Sequence, residues 1–195
     1  MEIKEIVVIS GKGGTGKTTI TSSLIPYFQD IVIGDCDVDA PNLQILFNPQ
    51  NSEKESFYGM KKAKKIAQNE NKKYILLDGA PGVACNVISS LTGVKKAVIV
   101  TEPTLSGLHD LERILELIER FRIKPYFVIN KYDLSLEMAN KIEEFLKDKG
   151  FEVSLKVPFD KRVVNAIGRK EIPSVAEKEL FQKLGFEKLA ESLKN

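Results

Sequence analysis

The sequence of 195 residues contains few cysteines, no large excess of either charge and no long hydrophobic run. Its two cysteines, Cys36 and Cys85, are far apart and form no C-x-x-C pair. This spacing argues against a disulfide framework and against a self-contained zinc or iron–sulfur site, so we expect reduced thiols. The net charge is only +2, from 29 basic and 27 acidic residues, so charge alone indicates neither nucleic acid nor an anionic membrane as a partner.

The amino terminus has no feature of an export signal. MEIKEIVVIS contains a short apolar run without a basic leader or a small-residue cleavage site, and no apolar stretch is long enough to cross a bilayer. We therefore expect a cytoplasmic protein. The length and the hydrophobic content of 43% suit one core, so we expect a single domain over residues 1–195.

Six short apolar runs recur along the chain and are interpreted as strands. They are rich in aliphatic and β-branched residues and have no polar face, which is typical of strands buried on both sides. Helical spacing separates them, most clearly at residues 105–121, where Leu108, Leu111, Leu115 and Ile118 mark one face. The alternation predicts an α/β fold with a mostly parallel, doubly wound sheet of about six or more strands and helices on both faces. The predicted strands are residues 5–10, 30–35, 74–78, 97–101, 126–130 and 153–157.

Polar or glycine-rich segments follow five of the six predicted strands. In an open parallel sheet, ligands bind beyond the carboxyl ends of the strands, so these segments should converge on one crevice. The segments are the glycine loop from residue 11, Asp35-Cys36-Asp37, Asp78-Gly79-Ala80-Pro81-Gly82, Asn130-Lys131 and Pro158-Phe159-Asp160. Their chemistry predicts a nucleotide site at this edge of the sheet.

The glycine loop, GKGGTGKT at residues 11–18, matches G-x-x-x-x-G-K-T between a predicted strand and a predicted helix. Glycines let backbone N–H groups turn toward phosphate oxygens at the positive end of the helix. In this P-loop, Lys17 should neutralise the β- and γ-phosphates, and the Thr18 hydroxyl should ligate Mg²⁺. The predicted phosphate-binding residues are Gly11, Lys12, Gly13, Gly14, Thr15, Gly16, Lys17, Thr18 and Thr19.

Lys12 is not required by the general motif. With this early lysine, the loop resembles the deviant Walker A loop of the MinD/ParA/Mrp family of P-loop ATPases. The resemblance implies that Lys12 crosses the interface of a nucleotide-sandwich homodimer and contacts the phosphates of the partner. A lone surface lysine is the alternative.

The resemblance extends from Val7 to Pro173 and includes a MinD-like branch that carries an inserted ferredoxin domain. The segments DCDVDAPNLQILFNP, LDGAPGVACNVISSLTG and FVINKYDL are similar to that branch. In those relatives a cysteine-rich insert follows the Asn-Pro found here at Asn48-Pro49, whereas this chain continues from Pro49 through NSEKESFYG directly into a lysine-rich segment, without a cysteine in between. We therefore expect ATP and Mg²⁺ as cofactors and no iron–sulfur cluster.

The resemblance also assigns roles to four residues near the strand ends. Asp37 matches the switch I aspartate that positions the attacking water, and Asp35 lies one strand step earlier, near the magnesium. Asp78 matches the Walker B acid, and Gly82 matches the switch II glycine whose N–H senses the γ-phosphate. A cap on a loop is the alternative for a lone Asp, but three acids between residues 35 and 39 favour a metal and phosphate site. The predicted catalytic residues are Lys12, Lys17 and Asp37, and the predicted metal residues are Thr18, Asp35, Asp37 and Asp78.

The base site has two interpretations. Asn130-Lys131-Tyr132-Asp133 spells N-K-x-D, which reads guanine in Ras-like proteins, so GTP stays an alternative. MinD-like ATPases, however, have an Asn at this strand end that contacts adenine, and the Pro158-Phe159-Asp160 loop resembles the one that covers adenine. We expect ATP, with a base site of Asn130, Lys131, Pro158, Phe159 and Asp160.

The C-terminal stretch from Val175 to Leu193 has roughly helical spacing of leucines but little aromatic or basic bias, so we expect it to dock on the sheet rather than in a membrane. No basic arm or helix-turn-helix precedes the loop, and we expect no nucleic-acid partner. The sequence thus predicts an Mg-dependent ATPase that forms a nucleotide-dependent homodimer and acts on an unidentified protein partner or cargo. The alternative is a nucleotide-binding regulatory protein with little or no turnover.

Overall fold

The computed structural model describes residues 2–36, 43–47, 59–82 and 85–195. Each of the six predicted strands is present within these ranges. The strands are β1 (Lys4–Ser10), β2 (Ile31–Asp35), β3 (Tyr74–Pro81), β4 (Lys96–Thr101), β5 (Lys124–Asn130) and β6 (Val153–Val157). They form one sheet in the order β2-β3-β1-β4-β5-β6, and every pair of neighbours is parallel.

The strand order places β1 in the middle of the sheet, between β3 and β4. After β1 the chain forms β2 at one edge and then β3 between β2 and β1, and it later continues through β4, β5 and β6 toward the other edge. Val8 of β1 is in register with Asp78 of β3 and Val98 of β4, so the carboxyl ends of the three strands lie side by side. The topological switch point, where ligands bind in such folds, is therefore at the end of β1.

Helices cover both faces of the sheet, as predicted. The helices are α1 (Lys17–Leu24), α2 (Leu43–Phe47), α3 (Gly59–Asn69), α4 (Cys85–Leu91), α5 (Leu105–Phe121), α6 (Leu136–Asp148), α7 (Lys161–Gly168), α8 (Pro173–Ala176), α9 (Lys178–Leu184) and α10 (Phe186–Lys194). Alternate residues of β1 show why its sequence is apolar throughout. Ile6 and Val8 pack against α1, α9 and α10, whereas Val7 and Ile9 belong to the core formed with α3, α4, α5 and α6. Both faces of the central strands are thus buried.

The edge strands differ from the prediction that all six strands are buried on both sides. Ile33 of β2 is 37% exposed, and Ser154 and Lys156 of β6 are exposed as well. An edge strand has a neighbour on one side only, so the layer of helices covers it less completely. The prediction of full burial is therefore wrong for β2 and β6.

The C-terminal stretch is divided into α9 and α10 at Gly185, which adopts a left-handed conformation with φ of 87°. Phe181 and Phe186 pack on either side of this break with their ring centroids 4.7 Å apart, and both are buried against the sheet. The Tyr126 hydroxyl of β5 donates a hydrogen bond of 2.8 Å to the carbonyl oxygen of Ser192. The segment docks on the sheet, as expected. Within the described ranges, no helix combines the length and the apolar character needed to span a membrane.

Candidate nucleotide-binding site

The phosphate loop connects β1 to α1 and is held from behind by the end of β5. Asn130 is buried, and its Nδ2 donates a hydrogen bond of 2.8 Å to the carbonyl oxygen of Thr15. Lys131 Nζ donates to the carbonyl oxygen of Gly14 at 3.1 Å. Gly16 has a φ of 85°, and a Cβ at this position would lie 2.2 Å from Asn130 Nδ2. The loop therefore requires glycine here for its conformation and for the close approach of Asn130.

Asp78 at the end of β3 is fully buried and binds three side chains of α1. Lys17 Nζ donates to Asp78 Oδ1 at 2.8 Å, and Thr18 Oγ1 donates to Asp78 Oδ2 at 2.7 Å. Thr21 Oγ1 lies 2.8 Å from Asp78 Oδ1 and 3.0 Å from the carbonyl oxygen of Lys17, and its single proton serves one acceptor at a time. Thr21 was not predicted. It lies one helical turn after Lys17 and so faces the same side of α1, which is the signal in the sequence that would have found it.

These contacts make Lys17 and Asp78 an ion pair removed from water. A buried charge is tolerated only when a partner and hydrogen bonds compensate for its lost hydration. Lys17 has such a partner in Asp78. A phosphate bound in the loop would replace Asp78 as the acceptor for Lys17, and Asp78 would keep the hydroxyls of Thr18 and Thr21.

The residues of the loop fit a phosphate group and Mg²⁺. The Thr15 hydroxyl is buried and has no hydrogen-bond partner among the described residues. Gly14 and Gly16 both have positive φ angles, which turn successive backbone N–H groups to one side as in other anion-binding loops. Thr18 and Asp78 supply the oxygen ligands that Mg²⁺ prefers. In the described part of the chain no three His, Cys, Asp or Glu side chains form a metal cluster, but Mg²⁺ at phosphate sites takes only one or two protein ligands.

Lys12 contacts the residues that follow β4. Its Nζ lies 2.7 Å from Glu102 Oε1 and 3.0 Å from Ser106 Oγ. The other carboxylate oxygen of Glu102 lies 3.6 Å from Lys131 Nζ. Glu102 and Ser106 were not predicted as site residues. Glu102 directly follows β4, so the rule that found the other strand ends would also have found this one.

Of the three acidic residues at the end of β2, Asp35 lies within the described residues, whereas Asp37 and Asp39 do not. Asp35 pairs in register with Asp78, and its Oδ2 accepts a hydrogen bond of 3.1 Å from Leu43 N at the start of α2. Asp37 lies outside the described residues, so its role stays a prediction. Between them, Cys36 is partly buried. Burial, reinforced by the charges of Asp35 and Asp78, raises the pKa of its thiol to about 11.

Gly82, at the end of β3, has a φ of 101°. Its N–H donates a hydrogen bond of 2.9 Å to the carbonyl oxygen of Ser10, the last residue of β1. In this state the N–H is engaged between the two strands. A role in sensing the γ-phosphate would require this hydrogen bond to break, and that role stays a prediction.

The loop after β6 is fixed by carboxylates. Asp133 Oδ1 accepts a hydrogen bond of 2.7 Å from Phe159 N. Asp160 caps α7, since its Oδ1 accepts from Arg162 N at 2.8 Å. The hydrogen bonds from the Arg162 side chain and backbone lower the pKa of Asp160. Phe159 is 44% exposed at this edge of the sheet, next to Pro158.

Comparison with known proteins identifies the family to which the chain belongs. The chain matches the CobQ/CobB/MinD/ParA nucleotide binding domain over residues 6–174. It belongs to this family. The match includes the phosphate loop, most of β1 and all of the other five strands, so the resemblance to MinD/ParA-type P-loop ATPases inferred from the loop is confirmed.

Individual proteins resemble the chain along most of its length. An uncharacterized protein from Methanocaldococcus jannaschii is 26% identical over 258 residues, covering 87% of this chain and 91% of that one. This alignment is longer than the chain itself, so the relative has residues with no counterpart here. Two solved structures share the fold. They are MinD complexed with Mg-ADP from Pyrococcus horikoshii (TM-score 0.76, 19% identity, coverage 98% and 96%) and the MinC:MinD cell division protein complex from Aquifex aeolicus (TM-score 0.78, 22% identity, coverage 97% and 95%).

Proposed function

We propose that this MinD/ParA-type protein hydrolyses ATP with Mg²⁺ and couples hydrolysis to closure of a homodimer. The observation that carries the proposal is the buried cluster of Lys17, Thr18 and Asp78 beneath a loop with two left-handed glycines. A glycine-rich turn without a ligand would have no need for a lysine that is only 5% exposed. The buried lysine therefore supports phosphate binding.

Each residue of the cluster has a distinct role in this proposal. Lys17 exchanges its contact with Asp78 for the β- and γ-phosphates and neutralises their charge. Thr18 and Asp78 would hold Mg²⁺. When bound, the metal supplies positive charge to the phosphate oxygens. The backbone N–H groups of residues 13–18 donate hydrogen bonds to the phosphates.

Hydrolysis also requires a water molecule in line with the γ-phosphate. Phosphoryl transfer needs little covalent chemistry from a protein, and most of the acceleration comes from positioning and charge. We assign the positioning of the water to Asp37, which follows β2. Asp35 supports this edge of the site and holds the start of α2 through Leu43 N.

Lys12 supports the proposal that two subunits act together. Its side chain is 37% exposed at the rim of the loop, where it reaches its own Glu102 rather than the phosphate cradle. We propose that it contacts the nucleotide of a second subunit, so that a dimer supplies a cation that a monomer lacks. The A. aeolicus structure named for MinC and MinD is a complex with another protein, which supports a protein partner or cargo for this chain as well.

ATP is the proposed nucleotide, and the contact between Asp133 and Phe159 N supports it. One oxygen of the carboxylate that would read guanine already accepts this backbone hydrogen bond of 2.7 Å. The P. horikoshii relative, by its name, binds Mg-ADP. We expect ATP to bind at least about ten times more tightly than GTP, which titration of both nucleotides measures. Tighter binding of GTP would overturn the choice of base.

The proposed hydrolysis is tested by phosphate release with ATP and Mg²⁺. Lys17→Ala removes the charge that faces the phosphates and should reduce turnover by about 10²- to 10³-fold. Lys141→Ala is the matched control, since it removes a surface lysine paired with Glu137 at 2.7 Å on α6. We expect the control to retain wild-type turnover. Tight ATP binding without hydrolysis by the wild-type chain would favour a regulatory protein with little turnover.

A further inference from the structure

Glu102 contacts two lysines, Lys12 and Lys131, which follow the strands on either side of β4. β4 lies between β1 and β5 in the sheet, so the residue after β4 faces the phosphate loop on one side and Lys131 on the other. The two carboxylate oxygens divide between them, at 2.7 Å from Lys12 Nζ and 3.6 Å from Lys131 Nζ. The Glu102 side chain is only 17% exposed, so its pairing with Lys12 is screened less than a fully exposed pair.

The turn from β4 into α5 holds Glu102 in place. Thr101 Oγ1 donates to the carbonyl oxygen of Gly107 at 3.2 Å, and Gly107 N donates to Thr104 Oγ1 at 3.0 Å. A Cβ at Gly107 would lie 2.4 Å from the carbonyl oxygen of Glu102, so the turn closes tightly on itself. Ser106 in the same turn gives Lys12 Nζ a second contact at 3.0 Å. Lys12 is thus bound by a preformed pair of acceptors.

We infer that Glu102 is a positioning residue that retains Lys12 within its own subunit until the dimer closes. This inference rests on the proposed function, in which Lys12 acts on the nucleotide of a second subunit. Closure draws Lys12 away from Glu102, which it now contacts at 2.7 Å, toward the nucleotide of the second subunit, and so breaks the pair. Glu102 thereby opposes closure, and its loss should lower the protein concentration at which dimers form.

Chemical labelling tests whether Glu102 retains Lys12 in the nucleotide-free chain. Glu102→Gln keeps the shape of the side chain and removes its charge. Glu112→Gln is the matched control, because it removes the same charge from α5 at a residue that pairs with His109. An amine-acylating reagent followed by peptide mass spectrometry should label Lys12 about threefold faster in Glu102→Gln than in the control. Lys141, paired with Glu137, provides an internal reference whose labelling should not change.

The second measurement is the solution mass with ATP and Mg²⁺ over a range of protein concentrations. Glu102→Gln should reach half dimer at about one ninth of the concentration that Glu112→Gln requires, because closure breaks one such pair in each of the two subunits. In a Lys12→Ala background, Glu102→Gln should have no further effect, because there is no ammonium left to retain. Unchanged labelling and an unchanged dimer midpoint would overturn the inference, and so would an effect that persists without Lys12. A wild-type chain that stays monomeric would contradict the proposed function, and the labelling would then decide the retention of Lys12 alone.

Discussion

Among single residues, Asp78 has the densest set of contacts in the site. It is fully buried, and Lys17 and Thr18 donate to it over 2.8 and 2.7 Å. Asp78→Asn would leave Lys17 as a buried cation without a counter-charge, so we expect a loss of about 3–5 kcal/mol in the free energy of unfolding. Urea denaturation measures this loss. Asp148→Asn at the exposed end of α6 is the control and should change the free energy by less than about 0.5 kcal/mol.

Cys36 should make the stability of the folded chain depend on pH. Burial raises its pKa from 9.0 to about 11, so the folded chain holds the thiol proton at pH values where the unfolded chain has lost it. Stability should therefore decrease as the pH rises from about 9 to about 11. At pH 8, modification of Cys36 by a maleimide should be about tenfold slower in the folded chain than in urea, because the thiolate fraction falls about 100-fold while the more basic thiolate is about tenfold more nucleophilic. Equal rates would show that the thiol is not shielded.

For single residues, the sequence predicted which side chains belong to the site more readily than it predicted which side chains contact each other. Lys17, Thr18 and Asp78 were predicted because the loop and the strand end have spacings that fix their placement. The partners Glu102 and Lys12 are 90 residues apart in the sequence, and they meet only because β4 pairs with β1. Such a pair depends on strand order and on side-chain conformation, which a local pattern does not specify.

Among the elements, the phosphate loop depends on the conformation of individual glycines. Gly16 has a left-handed φ of 85° and lies against Asn130, whereas a Cβ at Gly13 would meet nothing within 4 Å. Gly16→Ala should therefore lower the free energy of unfolding by about 1–3 kcal/mol. Gly13→Ala should change it by less than about 0.5 kcal/mol. Both values are measured by urea denaturation without nucleotide, and equal losses would contradict this explanation.

The C-terminal helices contribute to the core on one face of the sheet. Phe186 is fully buried, so Phe186→Ala should cost about 3–5 kcal/mol of the free energy of unfolding. Val175 on α8 is 60% exposed, and Val175→Ala is a control that should change the free energy by less than about 0.5 kcal/mol. Thermal and urea unfolding measure both. A Phe186→Ala variant as stable as the wild type would mean that α10 does not dock in solution.

The strands and helices were predicted well where the hydrophobic pattern of the sequence was continuous. The central strands were found because both of their faces are apolar, and the long α5 was found with both of its ends at the predicted residues. The break at Gly185 was not predicted, because leucines on both sides continue the helical spacing. The exposure of β2 and β6 was also missed, because strand order decides which strands are edges.

At the scale of the whole molecule, one sheet brings the site residues together at the end of β1. Four adjacent strands carry site residues at or just after their carboxyl ends, namely the phosphate loop, Asp78, Glu102 and Asn130. This arrangement explains how residues more than 100 positions apart form one site. Two apolar cores on opposite faces share the same strands, so we expect a single cooperative unfolding transition for residues 1–195. Circular dichroism and the fluorescence of the tyrosines should then give coincident denaturation curves. Two separate transitions would contradict a single domain.

The central claim is that Lys12 of one subunit completes the nucleotide site of another. Mixing Lys12→Ala with Asp37→Ala tests it most directly, with ATP hydrolysis as the readout. In a mixed dimer, the Lys12→Ala subunit keeps its own Asp37 and receives Lys12 from its partner, so one of the two sites is intact. We expect an equimolar mixture of the two inactive variants to regain about a quarter of the wild-type rate, since about half of the dimers are mixed. A mixture as inactive as each variant alone would contradict the claim.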